Sequence, residues 1–186
     1  MADGAQSSSI TIEPVSGAAG RKAFIAAGKI PYKDDPNYIA PLEFEVDARL
    51  NPAANPALKG ADVQLFIARK NGAVAGRISA FVNPLFIAHY NEKTGHFGFL
   101  DAIDDAEVFA ALLKTAEDWL RAKGMTKIAG PFSFSVNEEC GLLIDGFDTP
   151  PYVMMPHGRP WYQRHVEAAG YSKAMDMYAL RYIPRR

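Results

Sequence analysis

A single cysteine, Cys140, in 186 residues rules out an internal disulfide framework, and no CxxC or HExxH spacing is present to hold a structural zinc or a zincin site. No metal is expected. Basic excess is also missing: 20 Lys and Arg against 21 Asp and Glu leave a net charge of -1, which argues against a general nucleic-acid binder. No run approaches the roughly eighteen apolar residues of a membrane-spanning helix. The start, MADGAQSSSITIEP, lacks the basic and apolar regions of a secretory signal. Repeats, low-complexity tracts and interior linkers are absent too, so the expectation is one cytoplasmic domain over 1–186 with a frayed leader at 1–8. What remains is ordinary. Hydrophobic residues make up 48% and charged residues 22%, near the soluble average, in a chain long enough to bury roughly two thirds of its unfolded surface.

Ser8–Val15, with Ile10 and Ile12 alternating and limited by Pro14, reads as a first strand. From Ser16 a helix of roughly three turns is expected, stopped by Pro31. Prolines at 31, 36, 41, 52 and 56 then mark a surface connection with one helical turn around Leu42–Leu50. Val63–Arg69 and Ala73–Asn83 flank Lys70-Asn71-Gly72, a hairpin signal because both central residues accept positive φ. Thr94–Ile103 is a third strand. Asp104 is the expected cap of a long helix, Glu107 completes a D-x-x-E box, and Val108, Phe109, Leu112, Leu113, Ala116, Trp119 and Leu120 share one face. Gly124 ends that helix. Thr126–Ser133 reads as a strand, Pro160–Ala169 as a short helix, and Tyr171–Tyr182 as a closing strand. This order gives an α+β (mixed α/β) fold around one sheet.

Residues 130–170 concentrate the unusual letters: the cysteine, the pair Glu138 and Glu139, and dense proline and glycine, which together describe a shaped loop. Asn137 and Asp145 suit loop shaping by side-chain bonds to nearby backbone, with Gly141 and Gly146 free to take positive φ. Cys140 is either an acyl-accepting thiolate or a packed thiol, and the neighbouring carboxylates disfavour the thiolate. Thr149–Pro156 is a stiff apolar strip with two methionines, suited to lining an acyl channel, docking a partner or packing over the sheet. His157 and His165, taken with Asp145 or Asp148, match no established ligand spacing.

The run Trp161-Tyr162-Gln163-Arg164-His165 before Ala169-Gly170-Tyr171, together with the element order, resembles the GNAT superfamily of acyl-CoA-dependent N-acyltransferases. More specifically, GRISAFVN (76–83), GHFGFLDAIDD (95–105), GPFSFSVNEECGLLIDGFDTPP (130–151) and GYSKAMDMYA (170–179) resemble a bacterial group of GNAT-like proteins. Members of that group often carry a second, similar domain, and it includes proteins implicated in bacterial ceramide synthesis. The resemblance implies a central, mostly antiparallel twisted sheet of six to seven strands with helices on both faces. It also implies transfer of an acyl group from an acyl-CoA co-substrate to an amine. Tyr162 is then the candidate acid, since a phenol of pKa roughly 10 suits a leaving thiolate. Glu138 and Glu139 are candidate bases, and Phe132, Ser133, Phe134, Ser135 and Asn137 candidate co-substrate contacts. Implied partners are a small-molecule amine or lipid substrate, peripheral membrane contact, and a homo-oligomer or a second GNAT-like domain.

One stretch departs from that pattern. GNAT enzymes usually hold the CoA pyrophosphate on backbone N–H groups of a Gln/Arg-x-x-Gly-x-Gly/Ala loop at a helix N-terminus. Here the turn reads Asp101-Ala102-Ile103-Asp104-Asp105-Ala106-Glu107, with four acidic side chains and no glycine. A non-catalytic GNAT-like module, binding a ligand or pairing with another domain, is therefore the alternative expectation.

Overall fold

The computed structural model describes residues 9–180 and 182–183. Among the described residues five strands form one sheet in sequence order: β1 (Ile10–Val15), β2 (Asp62–Lys70), β3 (Ala73–Val82), β4 (Thr94–Ala102) and β5 (Lys127–Ala129). The first four pair antiparallel, and β5 lies parallel to β4. This corrects the expected six to seven strands. Helices are α1 (Gly17–Ala27), α2 (Glu43–Leu50), α3 (Pro84–Tyr90), α4 (Ala106–Ala122) and α5 (Tyr162–Ala168).

The two-residue period of the strands divides the core. Phe66, Ile78, Ala80 and Phe97 pack with Phe109, Leu112 and Leu113 of α4 and Val166 of α5. Leu65, Ile67 and Phe81 pack instead with Phe24 and Ile25 of α1 and Val46 and Leu50 of α2. The Asn71-Gly72 turn joins β2 to β3 with φ of 52° and 81°, the left-handed geometry that the pair was expected to supply.

Several boundaries differ from the sequence reading. α1 ends at Ala27 with Gly28 as its cap, and Pro31 sits inside a separate 3₁₀ turn, Ile30–Tyr32. Asp105, not Asp104, caps α4: its Oδ1 accepts from the N–H groups of Glu107 (3.0 Å) and Val108 (3.2 Å), while Asp104 turns to α5. α3 was not anticipated, although Asn83 caps it and Pro84 opens it, both ordinary start signals. β5 stops at Ala129 because Gly130-Pro131 follows and proline cannot donate to a ladder. The chain then folds back, with Phe132 bridging Cys140. Tyr171–Leu180 forms no strand; the three-residue β5 offers too little edge to pair with it.

Candidate active site

Between β3 and β4 the register jumps: Arg77 pairs with Asp101 but Ser79 with Gly98, so Phe99 and Leu100 stand opposite Ile78 alone. Phe99 takes φ +47°, and such a bulge bends the strand and re-aims its side chains. Just beyond it Asp101, 8% exposed, becomes the hub of a buried network. Its Oδ2 accepts from Arg77 Nε (2.8 Å) and pairs with Arg77 Nη2 (2.7 Å). Arg77 also donates through Nη1 to the Phe24 carbonyl at 3.1 Å, and its guanidinium lies over the Phe24 and Phe99 rings. Gly28 makes room for this arginine, since a Cβ there would fall 2.1 Å from the guanidinium carbon.

Asp101 Oδ1 faces two phenols. Tyr32 Oη lies 2.7 Å away and Tyr162 Oη 3.3 Å, with 3.3 Å between the two hydroxyls. Each phenol has one proton. The short contact assigns Tyr32's to Asp101, leaving Tyr162 to donate to Asp101 or to Tyr32 while accepting from the Ala102 N–H at 3.3 Å. Burial, then the Asp101 charge, push both hydroxyls well above the ordinary tyrosine range, so they stay protonated at neutral pH. Tyr38 stacks on Tyr32 at 4.3 Å, and burial followed by the Asp101 charge raises it to about 12.

Residues 130–161 close over this network. Phe132 N–H still bonds to Phe97 O (2.8 Å), and Gly98 permits the approach, because a Cβ there would sit 1.7 Å from the Phe132 carbonyl oxygen. Ser133 N–H then bonds to Glu139 O and Gly141 N–H to Pro131 O, both at 2.9 Å, closing a small hairpin. Farther on, Asp35 accepts from Arg159 Nη1 (2.6 Å) and lies 2.9 Å from His157 Nε2, tying the strap to the segment after α1. Where β4 and β5 part, a recess of about 50 Å³ remains. Arg77, Asp101, Ser133, Glu139, His157 and Tyr162 are among the residues lining it. It has room for one or two water-sized groups, the scale of a reacting carbonyl or amine.

Of the residues singled out in sequence, Tyr162, Glu139 and Ser133 come together at this recess. Glu138 lies with Glu139 around Arg49, at 3.2 and 3.6 Å respectively. Phe132 packs on His96, and Phe134 is buried against Phe81 and Phe99 in the α1–α2 core. Ser135 Oγ accepts from the N–H of Asn137, which is exposed. Cys140 is buried with Sγ 3.7 Å from Met177 Sδ, and burial raises its thiol, the environment of a packed cysteine. His157 and His165 are separately engaged, by Asp35 and Asp104. Sequence reading missed Asp101, Arg77 and Tyr32 as site residues, and it weighed His157 with Asp145 or Asp148 rather than with its actual partner Asp35. An arginine and an aspartate on neighbouring apolar strands were the available signal, because such charges are buried only when paired.

The ordinary phosphate cradle has no counterpart at the start of α4. Asp105 occupies two donors there, and Lys70 pairs with Asp105 and, at 3.0 Å, with Glu107. Two of the first N–H groups of α4 and the nearest lysine are thus engaged by the turn's own carboxylates.

A sheet whose last two strands part beside a helix-borne tyrosine defines the class: the chain has the GNAT acetyltransferase fold. Solved structures over nearly the whole chain agree, at identities that speak to fold alone. A tandem GNAT protein from the clavulanic acid biosynthesis pathway superposes with TM-score 0.57 and 16% identity, covering 87% of this chain and 43% of that one. An aminoglycoside N-acetyltransferase in complex with CoA gives 0.56 and 12%, covering 96% and 97%. A predicted acetyltransferase with acetyl-CoA from Clostridium acetobutylicum gives 0.55 and 10%, covering 93% and 96%. No family model matches the chain. In sequence it is 51% identical over 158 residues to protein YghO of Escherichia coli K12, and 45% over 171 residues to a bacterial ceramide synthase of Caulobacter vibrioides. These alignments cover 85% and 91% of this chain but 40% and 44% of the relatives, so the chain spans about two fifths of their length.

Proposed function

We propose that this chain is an N-acyltransferase module that moves an acyl group from a thioester, with acyl-CoA as a donor, to an amine. The observation that carries the reading is the recess at the β4–β5 parting, where a protonated phenol, Tyr162, and a carboxylate, Glu139, line the same small space. The amine nitrogen attacks the thioester carbonyl, forming the C–N bond as the C–S bond breaks. Tyr162 gives its proton to the departing thiolate, Glu139 or Glu138 takes the proton shed by the amine, and the phenol is reprotonated from that carboxylate. Asp101 and Arg77 orient Tyr162, with Arg77 offsetting the second negative charge that a transient phenolate places beside Asp101. No covalent acyl-enzyme enters, because Cys140 is packed away.

The name of the Caulobacter relative refers to an N-acyl lipid, which favours a long-chain amino alcohol as acceptor. Exposed Tyr152, Val153 and Met154, with Met175, Met177 and Leu180, support contact with a lipid surface or a second GNAT-like domain. Among the described residues no helix is long and apolar enough to cross a membrane. Calorimetric titration with short- and long-chain acyl thioesters tests the reading: saturable binding supports it, and no heat with any chain length rejects it. A second reading, a non-catalytic ligand-binding or domain-pairing module, is favoured by the 2% exposure of Tyr162 and the capped α4 terminus. On that reading a thioester binds without amide forming.

A further inference from the structure

We infer that the chain takes its acyl donor by the acyl and pantetheine portion alone, leaving the 3′-phosphoadenosine diphosphate end of CoA unread. This rests on the acyltransfer reading above and specifies the donor half that it uses. A helix N-terminus attracts phosphate because its first N–H groups lack intrahelical partners. At α4 two of those groups are satisfied from within, the N–H groups of Glu107 and Val108, by Asp105 Oδ1. Burial opposes charge on Asp105, yet the bonds from Lys70, Val108 and Glu107 hold its carboxyl below the ordinary range. A carboxylate already paired with Lys70 therefore occupies this helix N-terminus.

The nearby cations are committed as well. Lys70 pairs with Asp105 and Glu107, Arg164 of α5 pairs with Asp104, and His165 Nε2 lies 2.8 Å from the same carboxylate. Helix α5 also lies against this turn: Trp161 Nε1 donates to Ala102 O at 3.1 Å. Ile103 N–H, where β4 runs out into the turn, is bound to Ala75 O at 3.0 Å. The side-chain cap, the paired cations and the packed α5 thus make this turn a poor seat for phosphate, while the recess beside Asp101 is lined by other residues, Ser133, Glu139 and Tyr162 among them. A phosphopantetheine thioester carries the needed chemistry whether its source is a small thioester or an acylated carrier protein.

The test uses the unmodified chain, one amine, and the same acyl group on CoA, on pantetheine and on a carrier protein, together with titration of CoA and of pantetheine. The inference predicts kcat/KM for acyl-CoA and acyl-pantetheine within about threefold, and the two Kd values within the same margin. A preference for CoA of about tenfold or more in either quantity overturns it and leaves the acyltransfer reading intact. A carrier-protein donor that exceeds both assigns the source to a carrier, and parity assigns it to small thioesters; either supports the inference. Equal binding of CoA and pantetheine with no turnover from any donor overturns the acyltransfer reading alone. Silence in every arm overturns both.

Discussion

Tyr162→Phe removes one oxygen from the centre of the buried network and separates chemistry from packing. The lost hydroxyl contacts Asp101, Tyr32 and the Ala102 N–H, each at 3.3 Å. These are long against the usual 2.7–2.8 Å for hydroxyl donors and the usual 2.9–3.0 Å for the N–H donor. Each bond therefore belongs near the bottom of the net range of about 0.5–1.5 kcal/mol, and the ring itself stays packed against Phe109. A total loss of about 1–2 kcal/mol follows, which lowers Tm by about 2–8 °C for a chain of this size. The catalytic effect is much larger if the phenol protonates the leaving thiolate: removing a general acid costs about 10²–10⁴ in rate, mainly in kcat. Thermal unfolding and single-turnover amide formation on the same preparation read both quantities. A folded Tyr162→Phe protein that turns over within about twofold of the parent refutes the assignment of Tyr162, because a general acid is expected to contribute far more than that.

Arg77→Met leaves Asp101 without its cation in a site where both side chains are 11% exposed, and denaturant unfolding should show a loss of about 3–5 kcal/mol, partly restored by adding Asp101→Asn. His96 is held near 4 by burial and its Nδ1 has no partner. The unfolded chain thus takes up a proton near 6.5 that the folded chain refuses, and stability falls as pH drops from about 6.5 to about 4, by on the order of 3 kcal/mol. His96→Phe, which suits the ring contacts with Phe81, Phe86 and Phe132, should flatten that limb of a Tm-against-pH curve. Asp35 behaves as a depressed carboxylate: burial opposes its charge, but bonds from His157, the Asn37 N–H and Arg159 hold it below the usual range. Its stabilisation is full above about pH 4 and lost as pH falls through the lower folded value, so Asp35→Asn should be less stable at pH 7 and less sensitive to acid. Gly98→Ala places a methyl 1.7 Å from the Phe132 carbonyl oxygen, and hydrogen exchange should show the 131–141 hairpin losing protection.

The elements with strong local causes were legible in the sequence. Asn71-Gly72 set the β2–β3 hairpin by backbone preference alone, and the apolar stripe from Val108 to Leu120 set α4. The cap of α4 slipped by one residue because Asp104 and Asp105 are equally competent caps, and the choice is made by Arg164 and His165, some sixty residues away. The closing strand expected over 171–182 alternates as a strand should, but alternation does not supply a partner edge. For the site, Tyr162 was visible on its short helix, whereas Asp101 was read only as part of an acidic turn. Its burial comes from a bulge at Phe99 and from Arg77 on the neighbouring strand, a long-range pairing that no local pattern encodes. The expected shaped loop over 130–170 is present from Gly130 to Trp161, with α5 occupying the rest and the strand expected to reach Ser133 stopping at Ala129. The tie through Asp35, His157 and Arg159 joins segments more than a hundred residues apart.

The central claim, acyl transfer at the β4–β5 recess, is tested most directly by mass spectrometry of the amide formed from an acyl thioester and a long-chain amino alcohol with catalytic amounts of the chain. The account predicts multiple turnovers that collapse in Tyr162→Phe. No amide above the uncatalysed background, with the protein folded and the thioester bound, would contradict it.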